Sequence, residues 1–314
     1  MFAQRDNSLV LHLRIETVTP LLIRAGDGSV DAGPDLACVR TRHAGLGERT
    51  VYIPGSSLKG VIRSAAEAFL RSDGGTWHRH QGACDPLGEQ SCSRRIKAFS
   101  GSGWDNLDRA RAEVHAKHCL ACRLFGSTSL KSRTAVRDLF PWHPDADAAD
   151  RTRQAEAANR TEVRNGVAIN RLTGGAQPSA LYDLEVVPAG AHFFGDIALV
   201  NYQAWQVGAL FQALEEINDG LAQLGSSKSR GLGMARIEVT RLVGEQPLGH
   251  TAPKAVGHLR PDDRAYGLLP ERALGTASLR THGLRSRFEL TDPAAIQAWL
   301  ATGFEALAAL RSVA

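Results

Sequence analysis

A strand-breaking Pro-Gly pair stands directly before an amphipathic helical pattern, and this junction at residues 52–63 most constrains the fold. The apolar residues that follow have the i, i+4, i+7, i+11 spacing of one buried helix face. They are Leu58, Ile62, Ala65 and Phe69. Ser56 or Ser57 is expected to cap this helix, so that free backbone N–H groups and the helix dipole face an anion. Lys59 and Arg63 lie one turn apart on the other face, which predicts an anion site; a capped surface helix with solvated cations is the alternative.

A second glycine-rich segment occupies residues 224–236. Its glycines allow positive φ and close backbone approach, and its cations put charge where the backbone is bare. The residues of interest are Gly225, Ser227, Lys228, Arg230, Gly231 and Gly233. A nucleotide-binding P-loop is excluded by element order, because here a leucine-marked helix comes first and a strand from Met234 to Leu242 follows. A simple tight turn between helix and strand is the other interpretation.

The chain is long enough to bury one large core or two modest ones, since it has 314 residues. No apolar run approaches the roughly 20 residues of a membrane span, and the first residues lack a signal peptide's hydrophobic region. We therefore expect a cytoplasmic protein with no membrane partner. The net charge of +4 permits polyanion binding. The excess of positive charge is stronger in residues 123–137, which contain four cations and no acidic residue before Asp138. These cations are Arg123, Lys131, Arg133 and Arg137.

Four of the five cysteines form two pairs in a stretch poor in large apolar residues. A leaderless protein favours metal or redox use of cysteine over disulfides, and one tetrahedral zinc would cross-link such a stretch. The expected ligands are Cys84, Cys92, Cys119 and Cys122, with His115 or His118 able to replace an upstream thiol. Unliganded reduced thiols are the alternative. A redox CxxC fits less well, because no strand leads into a helix beginning at that pair.

The order of elements predicts an α+β protein with a ferredoxin-like split β-α-β-β-α-β fold. Leu9 to Ile15 alternate apolar and polar residues, as in a half-buried first strand. The helix from Ser56, the cysteine insertion and a basic strand region at Leu130 to Leu139 come next. An Ala/Arg/Asp-rich linker at residues 145–160 leads to a second insertion, the helix from Trp205 and the last strand. Insertions in such folds lie in loops, so the functional surface is expected to be long and built from several segments.

Three motifs in this order resemble the RAMP superfamily of CRISPR systems. They are Tyr-Ile-Pro-Gly-Ser-Ser-Leu-Lys-Gly at 52–60, Cys-Leu-Ala-Cys-Arg-Leu-Phe-Gly-Ser at 119–127 and the glycine-rich loop at 225–233. The strongest similarity is to the repeated backbone subunit of type III effector complexes. This resemblance implies a modified, RRM-like version of the ferredoxin-like fold that polymerises along CRISPR RNA (crRNA). It implies as partners crRNA, target RNA, further copies of the chain and other CRISPR effector subunits.

The resemblance also divides the chain. Residues 1–243 correspond to the RAMP domain, with a zinc-binding insertion at 72–122 and an insertion at 160–190 that suits the family's thumb hairpin. This hairpin, which displaces one base from the guide–target duplex, would have two strand-like arms around a Gly174-Gly175 turn. Residues 244–314 form a C-terminal extension of unknown role. Its apolar helix from Ala294 to Leu310 is either a subunit-docking element or a packed C-terminal helix.

In this family, an aspartate in the loop after the first strand cuts the target RNA. The loop here carries Asp27, Asp31 and Asp35. Asp35 fits best because Gly33-Pro34-Asp35, which enters a predicted strand at Leu36 to Arg40, resembles the family's Gly-x-Asp most closely. A carboxylate can hold Mg²⁺ or Mn²⁺ or act as a base while a 2′-hydroxyl attacks. Alternatives are a non-catalytic RNA-binding scaffold and a processing nuclease that uses a histidine such as His12 or His43. The predicted RNA contacts are Ser56, Ser57, Lys59, Arg63, Arg133, Gly225, Ser227, Lys228, Arg230 and Gly231.

Overall fold

The computed structural model describes residues 4–26, 34–72, 76–77, 80–96, 112–261 and 266–311. The strands are β1 (Ser8–Thr17), β2 (Arg40–Arg42), β3 (Arg49–Val51), β4 (Thr76–Trp77), β5 (His80–Gln81), β6 (Thr134–Val136), β7 (Glu162–Ile169), β8 (Ala176–Val186), β9 (His192–Val200), β10 (Ala235–Pro247), β11 (Arg280–His282) and β12 (Arg285–Leu290). The helices are α1 (Gly55–Arg71), α2 (Cys92–Arg95), α3 (Leu120–Phe125), α4 (Ala148–Asn159), α5 (Ala204–Asn218), α6 (Val256–Leu259) and α7 (Pro293–Ala309). Within these described residues, no helix is both long and apolar enough to cross a membrane.

The main sheet has the strand order β11-β12-β10-β1-β9-β6, with antiparallel pairing throughout. Strands joined by a long helix are split by one intervening strand. Thus β1 connects through α1 to β6 with β9 between them, and β9 connects through α5 to β10 with β1 between them. This is the split arrangement of a ferredoxin-like fold. The predicted α+β, ferredoxin-like fold is therefore confirmed.

The core lies between this sheet and α1 and α5. In β1, the predicted alternation is observed, because Leu9, Leu11, Leu13 and Ile15 are all buried. Their partners on α1 are the predicted apolar positions Leu58 and Ile62, both with no exposed surface. Burying such side chains stabilises the fold by roughly 1.5–3 kcal/mol each, which fixes the register of the strand.

The C-terminal segment extends this sheet and this core. β12 pairs with β10, β11 adds the edge, and α7 packs on α5 through Phe211 and Phe304, whose ring centroids lie 5.0 Å apart. Trp299 packs similarly on Phe288 of β12. The helix predicted at residues 294–310 is therefore packed on the core, and a subunit-docking role for it stays a prediction.

The predicted linker at residues 145–160 is wrong, since most of it forms α4. Asp147 caps this helix by accepting a hydrogen bond from the Asp150 backbone N–H at 2.8 Å. Ala155 and Ala158 are buried, but their small side chains give only a weak amphipathic pattern. The strong helix propensity of alanine therefore favours a helix here, although the apolar periodicity of this segment is too weak to predict one.

Candidate metal centre and nucleic-acid interface

Four buried cysteines come together in one cluster, as the sequence predicted. The sulfur atoms of Cys84, Cys92, Cys119 and Cys122 all lie within 4.8 Å of one another, and none of these cysteines forms a disulfide. Cys84 follows β5, Cys92 begins α2, and the CxxC pair spans the N-terminus of α3. The cluster therefore joins three short elements that are separated in the sequence.

The geometry fits a tetrahedral metal. A zinc–sulfur bond of about 2.3 Å in a tetrahedral site places neighbouring sulfurs about 3.8 Å apart. The Cys84 and Cys122 sulfurs are 3.8 Å apart. Backbone N–H groups donate to two other sulfurs, from Cys84 to Cys119 and from Cys119 to Cys92, each at 3.4 Å. Such N–H···S contacts stabilise thiolates, which are the form that binds a metal.

The sequence offered His115 or His118 as a substitute ligand, but neither belongs to the cluster of four thiols. The Nδ1 atom of His115 is 2.8 Å from the Tyr266 carbonyl oxygen, and burial lowers the pKa of His115 well below the ordinary value. Both ring nitrogens of His118 are engaged, one with the Val114 carbonyl and the other with the Ser127 hydroxyl. Because the four thiols already complete a tetrahedral set, neither histidine is needed as a ligand.

The N-terminus of α1 is closed by a different residue from those predicted. The helix begins at Gly55, and no Ser56 or Ser57 side chain caps it. Instead, the Gly55 N–H donates to the Asp138 carboxylate at 2.8 Å. A side chain at Gly55 would place its Cβ 2.3 Å from the Val136 carbonyl oxygen, so only glycine fits. A protein carboxylate therefore already occupies part of the predicted anion position, while Ser56 remains exposed.

Arg63 lines a surface groove beside the cysteine cluster, and Lys59 contacts Ser132 in the wall of the same groove. Lys59 Nζ donates to the Ser132 hydroxyl at 3.0 Å, and Arg63 donates to Glu67, to the Gly126 carbonyl and to the Cys122 sulfur. The groove has a volume of about 440 Å³. Its polar lining includes Arg63, Ser93, Ser127, Thr128, Lys131 and Ser132. Lys59 can leave its hydroxyl partner for a phosphate, whereas Arg63 is held by three protein groups.

Two of the four cations in the basic run are structural. Arg123 has no exposed surface and donates to the carbonyls of Ala116, His118 and Gly267. Arg133, predicted as an RNA contact, is only 4% exposed and donates to the Asn201 carbonyl. Burial lowers the pKa of each to about 10. We therefore remove Arg133 from the RNA-contact set, because RNA cannot reach it in this structure.

The glycine-rich loop packs against the segment that follows β1. Gly225 has φ of +72°, and a Cβ there would lie 2.2 Å from the Leu22 carbonyl oxygen. Ser227 also adopts a left-handed conformation, and Lys228–Arg230 form a single 3-10 turn. Lys228 and Arg230 are exposed on this turn. The tight backbone thus presents two cations to solvent.

A two-stranded hairpin stands out from the body, where the thumb was expected. β7 and β8 pair from Glu162 and Val186 to Ile169 and Ala176, and Gly174 has positive φ in the turn. Most of β7 is exposed, including the apolar Val163 and Ile169. Arg230 of the glycine-rich loop donates a hydrogen bond to the Tyr182 hydroxyl on β8 and lies over its ring. Loop and hairpin are therefore in direct contact.

Asp35 lies at the base of the same hairpin. Its carboxylate accepts a hydrogen bond from the Asp183 backbone N–H at 3.1 Å, and Leu36 bridges to Leu184 in parallel. Asp35 remains exposed. Asp27 and Asp31, the other candidates, fall outside the described residues. In the described part of the chain, the cysteine cluster is the sole grouping of three or more His, Cys, Asp or Glu side chains arranged to hold a metal.

A buried ion pair that sequence analysis missed anchors this region. Glu185 of β8 is paired with Arg40 of β2 and also accepts from the Cys38 backbone N–H at 2.8 Å. Thr161 adds a third donor. Burial alone would raise the pKa of Glu185, but these hydrogen bonds outweigh it and lower the pKa to about 2. The segment after Asp35 is thereby locked to the hairpin base.

The sheet face opposite α1 and α5 carries several ion pairs. Arg14 pairs with Glu238 and Arg241 with Glu289, each at 2.6 Å. His12, one histidine candidate for catalysis, pairs with Asp196. The other, His43, packs edge-on against Phe140 and Trp142. The positions of His12 and His43 are therefore accounted for by an ion pair and by aromatic packing.

A family model of the RAMP superfamily matches residues 14–236, from β1 to the start of β10. No curated protein matches the chain. The matched stretch includes the cysteine cluster, the hairpin and the glycine-rich loop, together with the split sheet order. Because the match covers most of the chain, this protein belongs to the RAMP superfamily, whose members are CRISPR-associated RNA-binding proteins.

Proposed function

We propose that this chain is the crRNA-binding backbone subunit of a type III CRISPR effector complex and that it cuts bound target RNA at regular intervals. One juxtaposition carries the proposal. Asp35 contacts the backbone of Asp183, and Arg230 contacts the adjacent Tyr182 on the same strand. A carboxylate suited to cleavage and a cation suited to phosphate binding therefore meet at the base of one projecting hairpin.

Lys228, Arg230 and Lys59 act as the main phosphate contacts, supported by Ser56, Ser57, Ser227 and the bare backbone at Gly225 and Gly231. Phosphate contacts position the strand without reading its sequence, which suits a subunit that must accept any guide. Arg63 contributes indirectly, because its hydrogen bonds hold the groove wall beside Cys122. The partners are crRNA, target RNA, further copies of the chain and other effector subunits.

The four thiols hold a structural zinc in this proposal. The cluster fastens the insertion at 72–122 to α1 through the Arg63 contact with the Cys122 sulfur at 3.7 Å. Zinc with four cysteine ligands has no open position for chemistry, so its role is to fold the insertion. The cleavage chemistry falls to the other site.

Asp35 supplies the charged group for cleavage. In the proposed step, the 2′-hydroxyl loses its proton and attacks the neighbouring phosphorus, and the 5′-oxygen leaves and takes a proton from water. The products are a cyclic phosphate and a free 5′-hydroxyl. Asp35 would take the hydroxyl proton or hold Mg²⁺ or Mn²⁺, which would neutralise the developing charge. The hairpin would displace one base, so that the sugar next to it adopts the in-line geometry.

The test is cleavage by assembled complexes that contain either the unsubstituted subunit or Asp35→Asn. This substitution removes the charge and nearly preserves the shape. Labelled complementary RNA with Mg²⁺ should give a regular product ladder with the unsubstituted subunit and none with Asp35→Asn, while guide and target binding survive. Asp145→Asn, an exposed loop carboxylate, is the matched control and should leave the ladder unchanged.

The other outcomes are equally informative. A ladder that persists in Asp35→Asn would clear Asp35 and move the assignment to Asp31 or Asp27. Absence of a ladder even with unsubstituted subunits, together with retained RNA binding, would establish the non-catalytic scaffold instead. Failure to bind any RNA would refute the proposal.

A further inference from the structure

The edge hairpin of β11 and β12 places basic residues directly opposite one another across its strands. Arg280 lies opposite Arg287, and His282 lies opposite Arg285. Like charges in directly opposed positions destabilise a two-stranded ladder. Side chains that oppose one another share one face, so this face of the hairpin is basic throughout. These residues lie beyond the part of the chain that the family model matches.

The acidic residue on this face contacts only two of its four basic residues. Glu245 of β10 lies opposite Arg287, but its carboxylate already contacts Arg5, His282 and Arg285 at 3.4–4.0 Å. Within the described residues, neither Arg280 nor Arg287 has a carboxylate within 4 Å. Burial and the nearby Arg5 lower the pKa of Arg285, whereas Glu245 and Asp6 act in the opposite direction.

The same two arginines line a surface cleft of about 610 Å³. Hydroxyl groups of Ser278, Thr281 and Thr291 share its wall. Glu289 also lines it but is paired with Arg241 at 2.6 Å. Two forked guanidinium groups with hydroxyl donors nearby match the tetrahedral oxygens of a phosphate group. The cleft volume lies in the range of ligand sites, about 300–1,000 Å³.

The cleft is separate from the RNA contacts proposed above. The glycine-rich loop ends just before β10 begins at Ala235, whereas Arg287 pairs with Glu245 near the other end of that strand. Ten residues at about 3.3 Å each place the two regions roughly 33 Å apart. An RNA strand that contacts both must therefore extend along the length of the sheet.

We propose that the Arg280–Arg287 cleft is a second phosphate-binding site, which holds the backbone of an RNA strand. The inference rests on the RNA binding proposed above and adds a contact surface outside the family-matched region. Its partner is a phosphodiester chain, because the arrangement offers charge and hydroxyl donors without base-reading groups.

The test is the salt dependence of binding between the full chain and a labelled single-stranded RNA of about 30 nucleotides. Each neutralised phosphate contributes about 0.7 to the slope of log affinity against log salt for single strands. Arg280→Gln/Arg287→Gln should therefore make the slope shallower by about 1.4 and weaken binding roughly 25-fold at 0.1 M salt. The control is Arg14→Gln/Arg153→Gln, which removes two cations that are already ion-paired. Its slope should stay near that of the unsubstituted protein.

A thermal melt without RNA provides the second measurement. Because the substitution relieves a like-charge pair, the Arg280→Gln/Arg287→Gln protein should melt no lower than the unsubstituted protein, which excludes misfolding as the cause of weaker binding. An unchanged slope in this variant, with RNA binding intact in the unsubstituted protein, would overturn the second site alone. Equal losses in the variant and its control would show that net charge is responsible and would also overturn it. No RNA binding by the unsubstituted protein would overturn both proposals.

Discussion

Glu185→Gln removes the charge that locks the hairpin base while preserving the shape of the side chain. In the native chain, Glu185 is paired with Arg40 and hydrogen-bonded to the Cys38 backbone, and its side chain is 8% exposed. The variant leaves Arg40 without its carboxylate partner. We therefore expect loss of stability together with loosening of the segment that carries Asp35.

The size of the effect follows from the pKa of Glu185. A fall from the ordinary 4.5 to about 2 corresponds to about 3.4 kcal/mol at roughly 1.36 kcal/mol per pH unit. The Arg40 side chain is 25% exposed, so solvent screening reduces the value, and we expect about 2–3 kcal/mol. With about 2.1 cal/mol/K per residue over 314 residues, this is a decrease in Tm of roughly 3–5 °C.

The sign of the pH dependence is fixed by the depressed pKa. The carboxylate stabilises the folded state fully above the unfolded pKa near 4.5, and this contribution is lost as pH falls toward about 2. The Tm difference between unsubstituted protein and Glu185→Gln should therefore be largest at neutral pH and shrink below about pH 4.5. Glu162→Gln, an exposed carboxylate on the same hairpin, is the control and should shift Tm by less than about 1 °C. Equal Tm values at pH 7, or a difference that stays constant from pH 7 to pH 3, would refute the reasoning.

Two further predictions concern the metal and the glycine-rich loop. Cys122→Ser should reduce zinc from about one ion per chain to none in elemental analysis and lower Tm, whereas Cys38→Ser, a buried cysteine outside the cluster, should keep its zinc. A native, chelator-free protein without zinc would exclude the metal. Lys228→Gln/Arg230→Gln should weaken binding to all RNA sequences alike and make the salt slope shallower by about 1.4. Unchanged affinity and slope would remove both residues from the interface.

Local patterns predicted the elements whose signals are contained within one segment. The alternation in β1, the apolar stripe of α1, the two arms around Gly174 and the CxxC pair before α3 each arise from neighbouring residues. Periodicity and turn chemistry act over such short distances, so they are readable without a structure. The cysteine cluster was also predictable, because two cysteine pairs in a stretch poor in large apolar residues are typical of a structural metal site.

The partners that position the site were not predictable, because they come from distant parts of the chain. Asp138 caps α1 from 83 residues away, and Arg123 donates to a carbonyl 144 residues away. The cation run around Arg133 therefore looked like a surface patch, although burial decides which of its members meet solvent. No local pattern distinguishes a structural arginine from an RNA-binding one, since both have the same donors.

Asp35 and the residues that follow it are held by contacts with the hairpin. Leu36 forms a bridge to Leu184 of β8, and Glu185 of the same strand is paired with Arg40. Arg230 donates to Tyr182, the residue before Asp183. A strand of RNA that engages Arg230 must therefore act on the same element that holds the Asp35 carboxylate. Under the proposed function, RNA binding at Arg230 and the position of the exposed Asp35 carboxylate are linked through β8, because both residues contact this strand.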